Sequence, residues 1–159
     1  MYIGFEMNYR VSRNLEYALM ALSYMSNKRG NCVSAREMVY HLRCPFHPFS
    51  RVLQKLVDHK FVTSKQGIKG GYILSKNLNK LSLYQLMSAI LPNIEIADCL
   101  KGDCNLLQSC NIKNPIHYLN KKFLEFYKTL SVFEILDKGS QKDIREIESK
   151  KETNKILNL

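Results

Sequence analysis

The fold is decided between Ser34 and Leu74, which read SAREMVYHLRCPFHPFSRVLQKLVDHKFVTSKQGIKGGYIL. Ser34 followed by Glu37 is a capping-box pattern, in which each side chain satisfies an orphan backbone amide at a helix start. The helix it opens carries Met38, Val39 and Leu42 on its apolar side. Arg43-Cys44-Pro45 ends that helix, because the residue ahead of a proline disfavours the α region. Another helix follows almost at once. Pro48 suits its first turn, and Phe49, Val52, Leu53, Leu56 and Val57 form a complete apolar stripe. The opposite face reads Ser50, Arg51, Gln54, Lys55 and Asp58. Two short helices about a tight turn, the second with a polar and basic face, describe a helix-turn-helix. Phe61 to Ser64 and Tyr72 to Leu74 are short β runs on either side of a basic tip holding Lys65, Gln66, Gly67, Lys69, Gly70 and Gly71, hence a hairpin. A flexible loop is the alternative for the glycines, and no Gly-Lys-Ser/Thr ending makes them a P-loop. Helix, turn, helix and hairpin in that order predict a winged helix.

Upstream, Leu15, Ala18, Leu19, Leu22 and Met25 recur at helical spacing and predict a first helix over residues 13–27. Downstream, Ser82 and Gln85 cap a helix with Leu83, Leu86, Met87 and Ile90 inward, stopped by Pro92. Residues 93–113 lack a period. Asn114-Pro115 then opens a long helix in which Ile116, Leu119, Phe123, Phe126 and Leu130 make a coiled-coil-like seam, with Tyr127 beside it. Such a seam fits dimerisation, or packing of the helix on its own domain. Ser131 and Glu134 cap a short element ending near Leu136, and a mixed-charge tail follows. The expected class is therefore mainly α with a small β-hairpin wing. Its parts are a winged domain over 7–91, a cysteine-bearing loop over 92–113, a long helix and a short one over 114–136, and a flexible tail over 137–159.

The chain has 159 residues and a net charge of +10, enough hydrophobic content (45%) for a real core, and no apolar run long enough for a membrane span. From Arg10 to Lys80 there are 13 basic residues and three acidic ones, while the remainder of the chain is balanced. A segment that carries all the net charge is a candidate polyanion-binding face, or else a solvated basic surface. The first residues lack the pattern of a signal peptide, so a cytoplasmic protein is expected. In that compartment the five cysteines are thiols or metal ligands before they are disulfides. No GxSxG, HExxH or P-loop is present and the four histidines form no spaced set, which argues against an enzyme.

Cys99, Cys104 and Cys110 stand as C-x4-C-x5-C among polar neighbours, with Gly102 between them. Three thiolates on one loop suit zinc or an iron–sulfur cluster, with a fourth ligand from elsewhere. Unliganded thiols are the alternative. Cys32 and Cys44 read as half-buried small hydrophobes.

Three parts of the chain carry a resemblance. They are Arg10 through Tyr17-Ala18-Leu19, the wing from Ser64 to Tyr72 with Gly67, Gly70 and Gly71, and the cysteine loop. Over residues 7–136 the sequence resembles the iron–sulfur winged-helix transcription factors of the IscR, NsrR and RirA types, whose relatives include the cluster-free CymR type. The wing is similar to the family pattern S-x-R-G-x-x-G-G-Y, departing at Gln66 where arginine is usual. Lys113 stands where the IscR type tends to carry a histidine ligand, which leaves the chain nearer to the NsrR and RirA types.

The resemblance implies a cytoplasmic homodimer joined through Ile116, Leu119, Phe123, Phe126 and Leu130, bound to a double-stranded DNA operator, as a repressor would be. It implies a 4Fe-4S or 2Fe-2S iron–sulfur cluster held by Cys99, Cys104 and Cys110, with Glu16 of the partner subunit as fourth ligand. Ser50, Arg51, Gln54 and Lys55 are the groove-reading candidates. Lys65, Gln66 and Lys69 reach the minor groove or backbone, and Arg10, Arg13 and Arg36 grip phosphate. Nitric oxide, redox state or iron supply would be the signal, with no small-molecule substrate. Two rivals stand beside it: a cluster-free regulator answering a partner protein or small molecule, and a zinc-binding interaction module.

Overall fold

The computed structural model describes residues 11–28, 30–102 and 104–138. Arg10 and the tail beyond residue 138 therefore lie outside the described residues. The chain divides into two compact units, one ending at Ile73 and the other beginning at Leu74.

The first unit is built on three helices. Helix Arg13–Ser26 (α1) buries Leu15, Ala18, Ala21, Leu22 and Met25, and helix Ala35–Leu42 (α2) buries Met38. Val39 and Leu42, expected inside, are half-buried, because α2 is short and only one turn of it faces the core. Helix Phe46–Asp58 (α3) buries Phe49, Val52, Leu53 and Leu56 of the expected stripe, while Val57 near its end is half-buried. Phe49 meets Tyr17 of α1 edge-on, with ring centroids 6.0 Å apart. Arg43 ends α2 in the left-handed region at φ 50°, ψ 43°, where a Cβ is disfavoured. That reversal turns the chain through Cys44-Pro45 directly into α3.

Strands Val62–Lys65 (β1) and Gly71–Leu74 (β2) form the hairpin. Val33, just ahead of α2, adds an antiparallel bridge to Tyr72 through two backbone bonds of 2.9 and 2.8 Å. Gly71 permits this approach, because a Cβ there would meet the Val33 carbonyl oxygen at 2.5 Å. The base of the wing is thus sewn to the residue that precedes the helix-turn-helix.

At the start of α2, Ser34 Oγ accepts from the Glu37 amide at 3.1 Å, which is half of the expected capping box. The Glu37 carboxylate turns to α1, accepting from the Tyr24 hydroxyl and pairing with Lys28, each at 3.0 Å. A charged partner just past the end of α1 binds it more strongly than the Ser34 backbone amide would.

In the second unit, helix Leu83–Ile90 (α4) starts from a complete capping box between Ser82 and Gln85, with bonds of 3.1 and 3.2 Å. It buries Leu86, Ala89 and Ile90 and packs against helix Lys113–Thr129 (α5). Ser82 bridges Ser131, and the flanking bonds Leu83 N–H to Leu130 O and Val132 N–H to Leu81 O are both 2.8 Å. This pairing locks the junction between α5 and helix Val132–Lys138 (α6) onto the start of α4. Leu81 and Val132 are fully buried there. Among the described residues no helix is long and apolar enough to cross a membrane.

Candidate nucleic-acid interface and cysteine loop

On α3, Arg51 and Gln54 are exposed and Lys55 is half-buried, while the stripe beneath them holds the helix on the core. Ser50 is different. Its Oγ is buried and has no hydrogen-bond partner among the described residues, so the hydroxyl is covered by the protein itself. It stands next to Phe49 on the helix, and that places it at the edge of the packed face. Two residues not anticipated from the sequence, Phe46 and His47, are exposed at the first turn of α3, beside exposed Arg43. Their signal was available in their position, since the leading residues of a recognition helix reach base edges.

Lys65, Gln66, Ile68 and Lys69 all project from an exposed tip. Gly70 N–H donates to Gly67 O at 2.9 Å and closes the tip, with Gly67 at φ +109°. A Cβ on Gly70 would run into the carbonyls of Lys65 and Gly67, so the tip is a tight turn that needs glycine there. Arg36 is exposed on α2. Arg13 pairs with Glu16 at 2.8 Å, their side chains 82% and 37% exposed. The residue expected to grip phosphate and the one expected to bind a cluster are therefore engaged with each other.

In the second unit, Cys99 lies in a 3-10 turn, Asp98–Lys101, closed by Gly102 N–H to Cys99 O at 3.3 Å. Cys104 begins the next turn, with Leu107 N–H to Cys104 O at 3.2 Å. All five cysteines are free thiols and half-buried. Burial pushes the Cys44 thiol up, which keeps it protonated in its turn beside Pro45. Among the described residues no three His, Cys, Asp or Glu side chains converge into a group able to hold a metal ion. The chemistry of Cys99, Cys104 and Cys110 suits a cluster, but their placement in the single chain does not assemble the set. The segment leading into the loop is pinned to α5, where Ile96 N–H donates to Asn120 Oδ1 at 3.2 Å.

Only Asn120 and Tyr127 of α5 are buried. Within the expected seam Ile116, Phe123 and Leu130 are half-buried, whereas Leu119 and Phe126 are 44% and 54% exposed. Ile112, at 54%, extends that exposed line by one further heptad step, and exposed Tyr118 stands beside it. Neither was picked out from the sequence: Ile112 precedes the helix start expected at Asn114, and Tyr118 falls outside the apolar period.

A three-helix core, a helix-turn-helix with an outward basic face, and a basic wing define a winged-helix DNA-binding regulator. The chain belongs to the Rrf2 family, described as iron-dependent transcriptional regulators, whose profile matches residues 11–138. It is a DNA-binding regulator of transcription and not an enzyme. A protein of Aquifex aeolicus, provisionally named an HTH-type transcriptional regulator, is 22% identical over 130 residues, covering 79% of this chain and 90% of that protein. The structure of CymR, the global cysteine regulator of B. subtilis, superposes with a TM-score of 0.63 at 15% identity, covering 82% of this chain and 98% of that one. IscR of T. potens gives 0.58 at 18% identity over 84% of this chain and 90% of its own. At such identities the two structures speak for the fold alone.

Proposed function

We propose that the protein is a cytoplasmic homodimer that binds a double-stranded operator as a repressor and reports nitric oxide, redox state or iron supply through an iron–sulfur cluster, 4Fe-4S or 2Fe-2S, held in residues 92–113. The observation that carries the dimer is the line Leu119 and Phe126 on the 17-residue helix α5, continued by Ile112 just ahead of its first turn, large apolar side chains left in water at heptad spacing. A second copy laying the same line against it would bury both. Residues 114–136 then serve as the dimerisation segment, and residues 7–91 as the DNA-binding part.

Two recognition helices would enter successive major grooves of a pseudo-palindrome, with half-sites about 34–36 Å apart or a multiple of that. Arg51 and Gln54 are suited to base edges, Arg51 through bidentate contact with guanine. Lys55, Lys65, Lys69, Arg36, Arg13 and Arg10 neutralise phosphate, and Gln66 contacts the minor groove. Ser50 is left out of this set by its inward hydroxyl.

Cys99, Cys104 and Cys110 are the proposed cluster ligands, supported by their free, half-buried state on one loop. Glu16 of the partner subunit is the proposed fourth, released from Arg13. A bound cluster would supply a centre that nitric oxide, oxygen or iron shortage removes. Asn120 ties the loop's approach to the same helix that carries the dimer seam, which is the route by which the loop's state can reach DNA affinity.

The test is anaerobic purification with a visible spectrum and iron and sulfide analysis, on wild type and Cys104→Ala, alongside sedimentation of Phe126→Asp. A brown dimeric wild type, bleached by the first change and made monomeric by the second, is expected. Protein that stays colourless after cluster reconstitution overturns the sensing mechanism while leaving the regulator intact. One observation favours a cluster-free rival that answers a small molecule. A groove of about 490 Å3 runs along α5, lined by His117, Tyr118, Lys121, Leu124, Glu125 and Lys128 among others.

A further inference from the structure

We infer that Ile68 is an apolar wedge that enters the DNA minor groove and unstacks a base step. The inference rests on the DNA-binding role and not on the cluster or the dimer seam. Ile68 is 107% exposed, as open to water as an isoleucine in an extended peptide. Single exposed apolar residues are common on protein surfaces and need no explanation by themselves. What separates Ile68 is its platform.

It stands at the outermost point of the hairpin, between exposed Gln66 and Lys69, with exposed Lys65 behind it. The Gly67–Gly70 bond closes the turn beneath it, and the lack of room for a Cβ at Gly70 requires glycine there. The turn places the side chain at the end of the hairpin, facing away from the protein's own surface. Gly67 and Gly70 bring no side chains, so nothing bulky shields the isoleucine and the tip is narrow.

A narrow cationic protrusion with one apolar point matches the chemistry of a duplex seen from the minor groove. Lys65 and Lys69 meet the phosphates that border it. Gln66 can donate to the N3 and O2 acceptors on its floor. Isoleucine belongs to the side chains that proteins insert between base pairs to kink the duplex, and flexible pyrimidine–purine steps accept it most readily. A polar residue at position 68 would leave the first three contacts intact, so the wedge adds bending and step preference to a grip made by others.

The experiment uses the full chain and a duplex selected by the wild-type protein from random sequence. The duplex carries 2-aminopurine at successive minor-groove A·T steps and a fluorophore pair at its ends. With wild type, one step should brighten several-fold and the ends should approach. Ile68→Ala should abolish both and weaken binding about tenfold, while keeping the slope of log affinity against log salt. Ile68→Phe should retain the brightening. Lys69→Ala should behave oppositely, reducing the slope by about one while leaving the bright step. An Ile68→Ala protein that still brightens and bends the duplex overturns the wedge. So does a wild type that leaves every step dark, or an Ile68→Ala protein that loses binding to anionic phosphatidylserine vesicles with DNA bending unchanged.

Discussion

The recognition helix and the cysteine loop carry their candidate side chains on opposite kinds of support. Beneath Arg51 and Gln54 lie Phe49, Val52, Leu53 and Leu56, all buried, with β1 and two other helices packed around them. Cys99 and Cys104 sit in consecutive tight turns whose hydrogen bonds are local, and Leu106, just after Cys104, is left exposed. A site that reads a rigid duplex gains from rigid support, because its contacts are specified before binding. A loop that answers a signal belongs at the low-stability end of the molecule, where a modest interaction can change its state. The difference teaches that the two sites ask different things of their folds, and substitutions should expose it.

The largest contrast is between a core and a loop substitution of similar chemical severity. Phe49→Ala removes a buried ring that packs edge-on against Tyr17, and a loss of about 3–5 kcal/mol is expected in denaturant unfolding of the first unit. Cys104→Ala, measured on metal-free protein, should stay within about 0.5 kcal/mol of wild type. A comparable loss in both would mean that the loop is structural, and the contrast between the regions would collapse.

Two adjacent residues sharpen the same contrast on one helix. Arg51→Ala should cost about 1–3 kcal/mol of specific DNA binding with unfolding unchanged, because the side chain is exposed and makes a groove contact if it reads a base. Ser50→Ala should do the reverse. An unsatisfied buried hydroxyl carries a desolvation cost, so its removal should raise stability by about 1 kcal/mol while DNA affinity holds. Weaker DNA binding by the Ser50 variant at unchanged stability would return its hydroxyl to the groove.

That pair also marks where the sequence stops being informative. Helix spacing identified the core of α3 because periodicity is a property of one helix alone. It could not orient a serine at the edge of the stripe, since a turn of one side-chain torsion decides between core and groove. The Val33–Tyr72 bridge and the turn of Glu37 toward Lys28 escaped for a related reason, being long-range pairings that no local pattern encodes. Asn120 looks like a surface residue in a helical sequence, yet it is buried because the Ile96 amide needs an acceptor. In the cysteine loop, three thiols within a dozen residues announced a chemistry, but their spacing did not bring them together.

The smallest expected effect concerns the polar tie between α1 and α2 and has a definite pH signature. The Lys28 ammonium bonded to it holds the Glu37 carboxyl below its ordinary value of 4.5, the Tyr24 hydroxyl adds to the effect, and burial opposes it. In the unfolded chain Glu37 binds its proton more readily than in the fold. Its contribution is therefore present above about pH 4.5 and is lost as pH falls through the lower folded value. Lys28 is raised by the same bond, so its share holds below 10.5 and is lost as pH climbs through its folded value. The carboxylate is 36% exposed, so water screens the pair and Glu37→Gln should cost less than about 1 kcal/mol at neutral pH. Unfolding of wild type and variant should converge as the solution is acidified from pH 4.5 downward. A gap that persists unchanged into acid would assign the loss to the start of α2, where the glutamate backbone is capped by Ser34, and not to the charge pair with Lys28.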